Sequence, residues 1–237
     1  MNPHRIAVTN TINRENAAAL CHSLSLVLAD ETVSVVVLHG EEGFFCHGLD
    51  LGLGVKEQEE TAVVFADLLR TLLFLPKPVI AEVNGEARGG GVGLAAACDA
   101  IVASRKASFG LPEALFGLIP SIITPVLLRR ITPQKLRFLA LSCHAADADL
   151  ARDMGLVDIV VEERELHGAV EKLAGQFRRA DRDAVPALKE FIESSVHRPA
   201  QEMLREGVEL TQSMLRQQRV RTAIRDYLVD GVHPRQE

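Results

Sequence analysis

Gly89, Gly90 and Gly91 stand in a row between a strand-length apolar run, residues 78–83, and a run of small, helix-compatible residues, 92–98. Three successive positions without a Cβ leave backbone N–H groups free to face a cavity. If a helix begins at these glycines, its unpaired amide hydrogens and the positive end of its dipole converge on one point. That point suits an anion, or a carbonyl oxygen about to become one. The same cluster is as compatible with a tight turn and close packing. The common nucleotide signatures do not fit: there is no GxxxxGK followed by Ser or Thr, and residues 85–91 lack the GxGxxG spacing.

The rest of the chain alternates strand and helix patterns around this stretch. Residues 1–14 are weakly patterned, with a loop at 9–11, and Asn13 is placed to cap a helix over 15–29. The β-branched run 33–38 reads as a strand covered on both faces, and 44–46 as a second short strand. Residues 51–60 read as a mobile acidic surface loop, and 61–75 as an amphipathic helix stopped by Pro76 and Pro78. Further strands are expected at 78–83, 100–103, 107–110 and 158–161, with helices at 122–131, 133–141 and 148–154. Beyond residue 165 the pattern is helical, broken near 181–186 and again near 197–199. The expectation is an α/β fold with parallel strands: residues 1–170 form the core, and 171–237 a helical region of the same domain.

Bulk properties narrow the function classes. A net charge of -6, with no basic stripe interleaved with aromatics, argues against nucleic acid. Cys21, Cys46, Cys98 and Cys143 are too scattered for a zinc site or a disulfide framework. They read as reduced thiols in a cytoplasmic protein, with no metal and no membrane span.

Two strand-end turns, one around His47-Gly48-Leu49 and one around Arg88-Gly89-Gly90, follow buried strands. Opening at the same edge of one sheet, they would present two convergent amides to a single oxygen. Glu113 lies near a helix start, behind Pro112 and among Phe109, Leu111, Leu115, Phe116 and Leu118. Poor solvation there would raise its pKa toward values useful for proton transfer; a surface glutamate favouring a helix N-terminus is the alternative. Asp99 reads as a structural helix-end residue. The group Arg129, Arg130, Lys135 and Arg137 reads as a solvated basic face, or as a dock for phosphates or an acidic partner. No Ser sits in a GxSxG turn.

Taken together, FFCHGLDL, PKPVIAEVNGEARGGGVGLAAACD, ASFGLPEALFGLIP and ARDMGLVDIVV resemble the enoyl-CoA hydratase/isomerase (crotonase) superfamily. The resemblance implies a β–β–α spiral with a C-terminal helical trimerisation region, as a homotrimer or dimer of trimers. It also implies a substrate thioester on coenzyme A or on the phosphopantetheine of an acyl carrier protein, with no other cofactor. Carried over by position, the amides of Leu49 and Gly90 would form the oxyanion hole. Glu113 would match the second of the two glutamates that the family's hydratases use. The first falls on Gly93, which departs from two-carboxylate water addition. The segment before residues 5–11 also largely lacks the family's additional strand hairpin. The nearest subgroup by pattern is the dehydratases of polyketide β-branching cassettes, which convert 3-hydroxy-3-methylglutaryl to 3-methylglutaconyl on an acyl carrier protein. There, His47 and Arg88 are candidates for the substrate's free carboxylate, with Gly89 and Phe116 as further substrate contacts. An enoyl-CoA isomerase or hydratase acting on coenzyme A thioesters, or a non-catalytic carrier-binding subunit, remain the alternatives.

Overall fold

The computed structural model describes residues 3–41, 43–194 and 200–230. Strand β1 (His4–Ala7) leads into helix α1 (Arg14–Ala29). The Asn13 side chain accepts from the Asn16 N–H while the Asn16 side chain accepts from Asn13, so the helix start is capped from both sides. Then come β2 (Val36–His39), β3 (Phe44–Cys46), α2 (Val55–Phe74), β4 (Val79–Val83) and β5 (Glu86–Arg88). The glycine stretch opens α3 (Gly90–Ala96), followed by β6 (Ala100–Ser104), β7 (Ser108–Gly110) and a 3₁₀ turn at Glu113–Phe116. Helices α4 (Thr124–Leu127) and α5 (Pro133–Ser142), strand β8 (Ala146–Asp147), α6 (Ala148–Met154) and β9 (Ile159–Val161) complete the α/β part. Helices α7 (Leu166–Phe177), α8 (Ala184–Ser194), α9 (Ala200–Leu215) and α10 (Gln218–Asp230) follow. No helix of the described residues is long and apolar enough to cross a membrane.

Two sheets result. The larger, in order β1-β2-β4-β6-β9, is wholly parallel; the smaller, β3-β5-β7-β8, is parallel except for its last pair. The β-branched run is covered on both sides, as expected. Val36 and Leu38 join the main core, whereas Val35 and Val37 join Ile80 and Val102 under Leu166, Val170 and Ala174 of α7.

Three expectations are corrected. Residues 55–60 are not a loop but the first turns of α2, begun by Glu57, whose carboxylate accepts from the Gly54 N–H at 3.1 Å. Acidic residues there favour the helix start, which charge density alone hides. The helix expected over 122–131 is regular only at Thr124–Leu127, and beyond it Arg129 and Arg130 bond back to the carbonyls of Pro125, Ala96 and Cys98. β1 lies in a stretch read as weakly patterned and the three-residue β5 where a turn was read; β5 buries only Ala87 and so carries little apolar pattern. The break near 181–186 is real, although Pro186 itself lies in the first turn of α8. The one near 197–199 falls outside the described residues.

Charged residues lock these layers. Asp99 is structural, as read: its Oδ2 accepts from the Val79 N–H and from Lys189 Nζ, both at 2.8 Å, tying α8 to the sheet. Arg130 donates to the carbonyls of Ala96 and Cys98 at the end of α3 and to Asp158. Arg129 pairs with Glu193 of α8. These two arginines are therefore anchors, not a solvated docking face.

Helix α9 crosses the 121–122 segment so closely that a Cβ at Gly207 would lie 2.5 Å from the Ser121 carbonyl oxygen and 2.9 Å from Ile122 Cα. Gly207→Ala should thus destabilise the fold by about 1–3 kcal/mol through overpacking, despite the better helix propensity of alanine. Urea unfolding at constant m checks this; an unchanged or raised midpoint would contradict the packing described.

Candidate active site

Strands β3, β5 and β7 lie side by side and parallel, so their C-terminal ends open on one edge of the small sheet. Each end delivers one of the expected residues: Leu49 after β3, Gly90 after β5 and Glu113 after β7. Ligands favour such carboxyl edges in parallel sheets because successive loops converge there.

The first turn is shaped by Gly48, whose φ of 82° puts it in the left-handed region. A Cβ on Gly48 would lie 2.6 Å from the Gly90 nitrogen, so the two backbones meet where no side chain fits. On the other side, the Ile12 N–H donates to the Gly48 carbonyl at 2.7 Å and the Asp50 N–H to the Ile12 carbonyl at 2.9 Å. This parallel bridge engages the groups flanking Leu49 and turns Leu49's own N–H the opposite way. Gly90, as the first residue of α3, has no intrahelical acceptor for its N–H. Gly89 caps the helix at φ 48° and is tied by its N–H to the Gly110 carbonyl at 2.9 Å. Phe65 of α2 roofs the turn, 3.2 Å from the Cβ position of Gly90.

Glu113 faces this turn. Its Oε1 lies 3.1 Å from where a Cβ on Gly89 would be, so only glycine leaves the carboxylate its place. The residue as a whole is partly exposed, yet Oε2 is buried and has no hydrogen-bond partner. Burial pushes the carboxyl pKa up to about 7, and the opposing hydrogen bond from its own backbone N–H offsets this only in part. A proton acceptor titrating near neutrality can take a proton α to a carbonyl, and amides converging from the two turns would hold the resulting negative charge.

The remaining expected residues sit around this centre. His47 is exposed, lies tilted at 47° to the Phe44 ring with centroids 5.8 Å apart, and places Nε2 3.3 Å from Glu86. Arg88 is held by the carbonyls of Ala87 and Ser108, the Ser108 hydroxyl and Glu86. A substrate carboxylate would have to compete with Glu86 for either. Phe116 is buried edge-to-face against Tyr227, in a cluster with Leu118, Leu215, Val220 and Ile224. It fastens the 3₁₀ turn under α10. Ile123 is a residue that sequence reading missed. A Cβ on Gly93 would lie 2.6 Å from Ile123 Cβ and closer still to its Cγ2, so Ile123 fills the side-chain space at position 93. The only signal for it was the missing carboxylate. Clefts of 590, 530 and 570 Å³ lie on other faces, and none is lined by Leu49, Gly90 or Glu113.

Comparison with known proteins adds names to this geometry. The family Enoyl-CoA hydratase/isomerase matches residues 1–231. The bacillaene synthase dehydratase PksH of Bacillus subtilis is 31% identical over 201 residues, covering 82% of this chain and 76% of that protein. The carnitinyl-CoA dehydratase of Proteus mirabilis is 35% identical over 191 residues, covering 78% and 71%. The crystal structure of PksH superposes with a TM-score of 0.88 at 28% identity, covering 97% of this chain and 95% of that one.

The raised Glu113 pKa has a stability consequence whose sign is fixed. A free glutamate titrates at about 4.3, so between there and about 7 the folded state holds a proton that the unfolded state releases. This contribution is complete at low pH and is lost as pH rises through the folded value. Glu113→Gln, which mimics the protonated form, should match the wild type near the free-glutamate pKa. Above pH ~7 it should be more stable by up to roughly 3 kcal/mol, at 1.36 kcal/mol per pKa unit. Chemical denaturation across that range tests it; a pH-independent difference would place the carboxylate in solvent.

Proposed function

The chain belongs to the enoyl-CoA hydratase/isomerase family, and from that premise we propose that it dehydrates 3-hydroxy-3-methylglutaryl on an acyl carrier protein to 3-methylglutaconyl. Its enzyme class is that of the hydro-lyases named among its relatives, which include hydratases and dehydratases. The observation that carries the finer reading is that Glu113 has a raised pKa while the place of a second acid–base carboxylate, at Gly93, is closed by Ile123.

One carboxylate is sufficient for this elimination. With the thioester oxygen on the N–H groups of Leu49 and Gly90, loss of the C2 proton to Glu113 leaves an enolate whose charge those amides stabilise. The electron pair then forms the C2–C3 double bond as the C3–O bond breaks. Glu113 returns the proton to the departing hydroxyl, and one water leaves. Because the same carboxyl takes and gives the proton, both groups leave from one face. A tertiary C3 eases C–O cleavage by supporting developing positive charge, so no second acid is needed. The carboxyl pKa of about 7 suits both halves of the cycle.

The carrier arm brings the thioester, and the chemistry asks for no further cofactor. His47 and Arg88 would meet the substrate's free carboxylate by displacing Glu86, and Gly89 leaves the acyl group room beside Glu113. We read residues 171–237 as continuous with the core domain. Leu188, Phe191 and Ile192 of α8 are 59%, 71% and 56% exposed, which favours association into a homotrimer or dimer of trimers in the cytoplasm.

Mass analysis of the carrier-bound product tests the reading. Loss of one water from the 3-hydroxy-3-methylglutaryl carrier supports it; a mass-neutral double-bond shift on an enoyl thioester assigns isomerisation instead, and no change in any acyl thioester leaves a binding subunit. Glu113→Gln should lower kcat/KM by about 10²–10⁴-fold, and Gly48→Ala, which crowds the Gly90 amide, by about 10²–10³-fold. Because the ionised carboxylate takes the C2 proton, wild-type kcat/KM should rise with pH through about 7 and then level. Comparing the carrier-protein and coenzyme A forms of one acyl group assigns the carrier.

A further inference from the structure

We propose that the cleft between the end of α1 and the α7–α8 junction binds an amphiphilic carboxylate, a charged head on a short hydrocarbon body, at a site separate from Glu113. The cleft encloses about 530 Å³. Val33 and Ser34, just ahead of β2, and Pro76 to Pro78, just ahead of β4, line it. It therefore lies at the amino ends of these strands, whereas the chain leaves the carboxyl end of β4 for β5 and Gly90. None of its lining residues belongs to the set around Glu113.

Three cations line the cleft, Lys77, Arg178 and Arg182, against one carboxylate, Glu31. Both α1 and α7 end here, and cations complement helix C-termini. Lys77 is accounted for in that way: its Nζ donates to the carbonyls of Val27 and Asp30 at 2.6 and 2.7 Å, leaving one ammonium hydrogen over. Arg182 gives one Nη1 bond to the Glu31 carbonyl at 2.9 Å and keeps its other donors. Arg178 is not accounted for. Its guanidinium has no hydrogen bond or ion pair among the described residues, and its Nη1 is buried. Nη2 lies 3.6 Å from where a Cβ on Gly175 would be, so the group is folded back along α7. A buried donor without an acceptor is costly, and a carboxylate matches the planar fork of arginine bidentately. Burial lowers the Lys77 pKa; Asp30 opposes this and the Arg182 charge adds to it, so an anion here would also relieve crowded like charges.

The remaining walls decide what the anion carries. Leu28, Phe177 and Val185 join Val33, Pro76 and Pro78 around the cations. A second cleft of about 180 Å³ shares Pro78, Phe177 and Val185 with the first and reaches Leu188. An inorganic anion would leave these walls against water, whereas a tail of several methylenes would cover them. A mostly apolar lining with a few converging polar groups is the usual make-up of a small-molecule site.

Calorimetric titration of the full chain with sodium octanoate tests the proposal. Acetate and inorganic phosphate supply a head without a tail, and octylamine a tail without the anion. Octanoate should bind with a Kd of about 1 mM or lower, and the other three at least about tenfold more weakly. Arg178→Gln should weaken octanoate by about 10–100-fold, the worth of hydrogen bonds to a charged group. The same variant should keep the ligand-free melting temperature, because the Arg178 side chain bonds to no other group of the fold. Val185→Asp, which sets a carboxylate where both clefts meet, should also lose octanoate. Glu113→Gln should bind it as the wild type does, so the result is independent of the dehydratase reading. Absence of octanoate binding, or equal binding of acetate, phosphate or octylamine, overturns the proposal. So does an octanoate Kd within about twofold of wild type in folded Arg178→Gln, or loss of binding in Glu113→Gln, which would place the probe at the acyl site.

Discussion

Two backbones meet at Gly48 and Gly90, and the site depends on that contact. Adjacent parallel strands are about 4.8 Å apart. Amides presented from the ends of two such neighbours can both reach one oxygen at about 2.9 Å. A side chain at either glycine would force the turns apart and leave each N–H facing its own oxygen, or water. The order β3-β5-β7 is what makes the spacing available, and the bridge from Ile12 to Leu49 holds the outer turn from behind. The large sheet contributes indirectly: β4 runs straight into the β5 turn, so its buried register fixes where the glycines emerge.

Glu113 is an exception among the carboxylates of this fold. Asp99 and Asp158 each accept a backbone N–H and pair with a cation, and both are spent on holding strands and helices together. Glu113 has neither kind of partner at Oε2, so its ionised form is disfavoured by desolvation alone. A fold selected only for stability would protonate, pair or replace such a group. Its place beside the Gly48 and Gly90 turns is a stability cost of the kind found at functional positions.

The parts of this arrangement that were legible in the sequence are those set by local chemistry. The glycine row marked the α3 start, Asn13 marked the α1 cap, and the continuous β-branched run 33–38 marked a strand covered on both faces. Glu113 was legible because its neighbours are apolar. What escaped was set by long-range contact. The acidic turns of α2 read as loop because their stabilising partners, the Gly54 N–H and Arg216, are either uncapped by a side chain or distant. Arg129 and Arg130 read as a surface because nothing local announces Glu193, Asp158 or the α3 carbonyls. Ile123 escaped for the same reason: position 93 says that a side chain is missing, and only the fold says what fills the gap.

The two halves of the site are consequently supported from different parts of the chain. The amide pair is fixed by β3, β5 and the α1 approach, all within the first ninety-odd residues. Glu113 and Ile123 are fixed from the other end: Phe116 beside the carboxylate's turn packs on Tyr227 of α10, and Ser121 bonds to Gly207 and Thr211 of α9. The two halves therefore answer to separate packing. A change in α9 or α10 would move Ile123 and Glu113 together while leaving the Gly48 and Gly90 turns in place. On this argument the C-terminal helices support the site from more than a hundred residues downstream of Gly90.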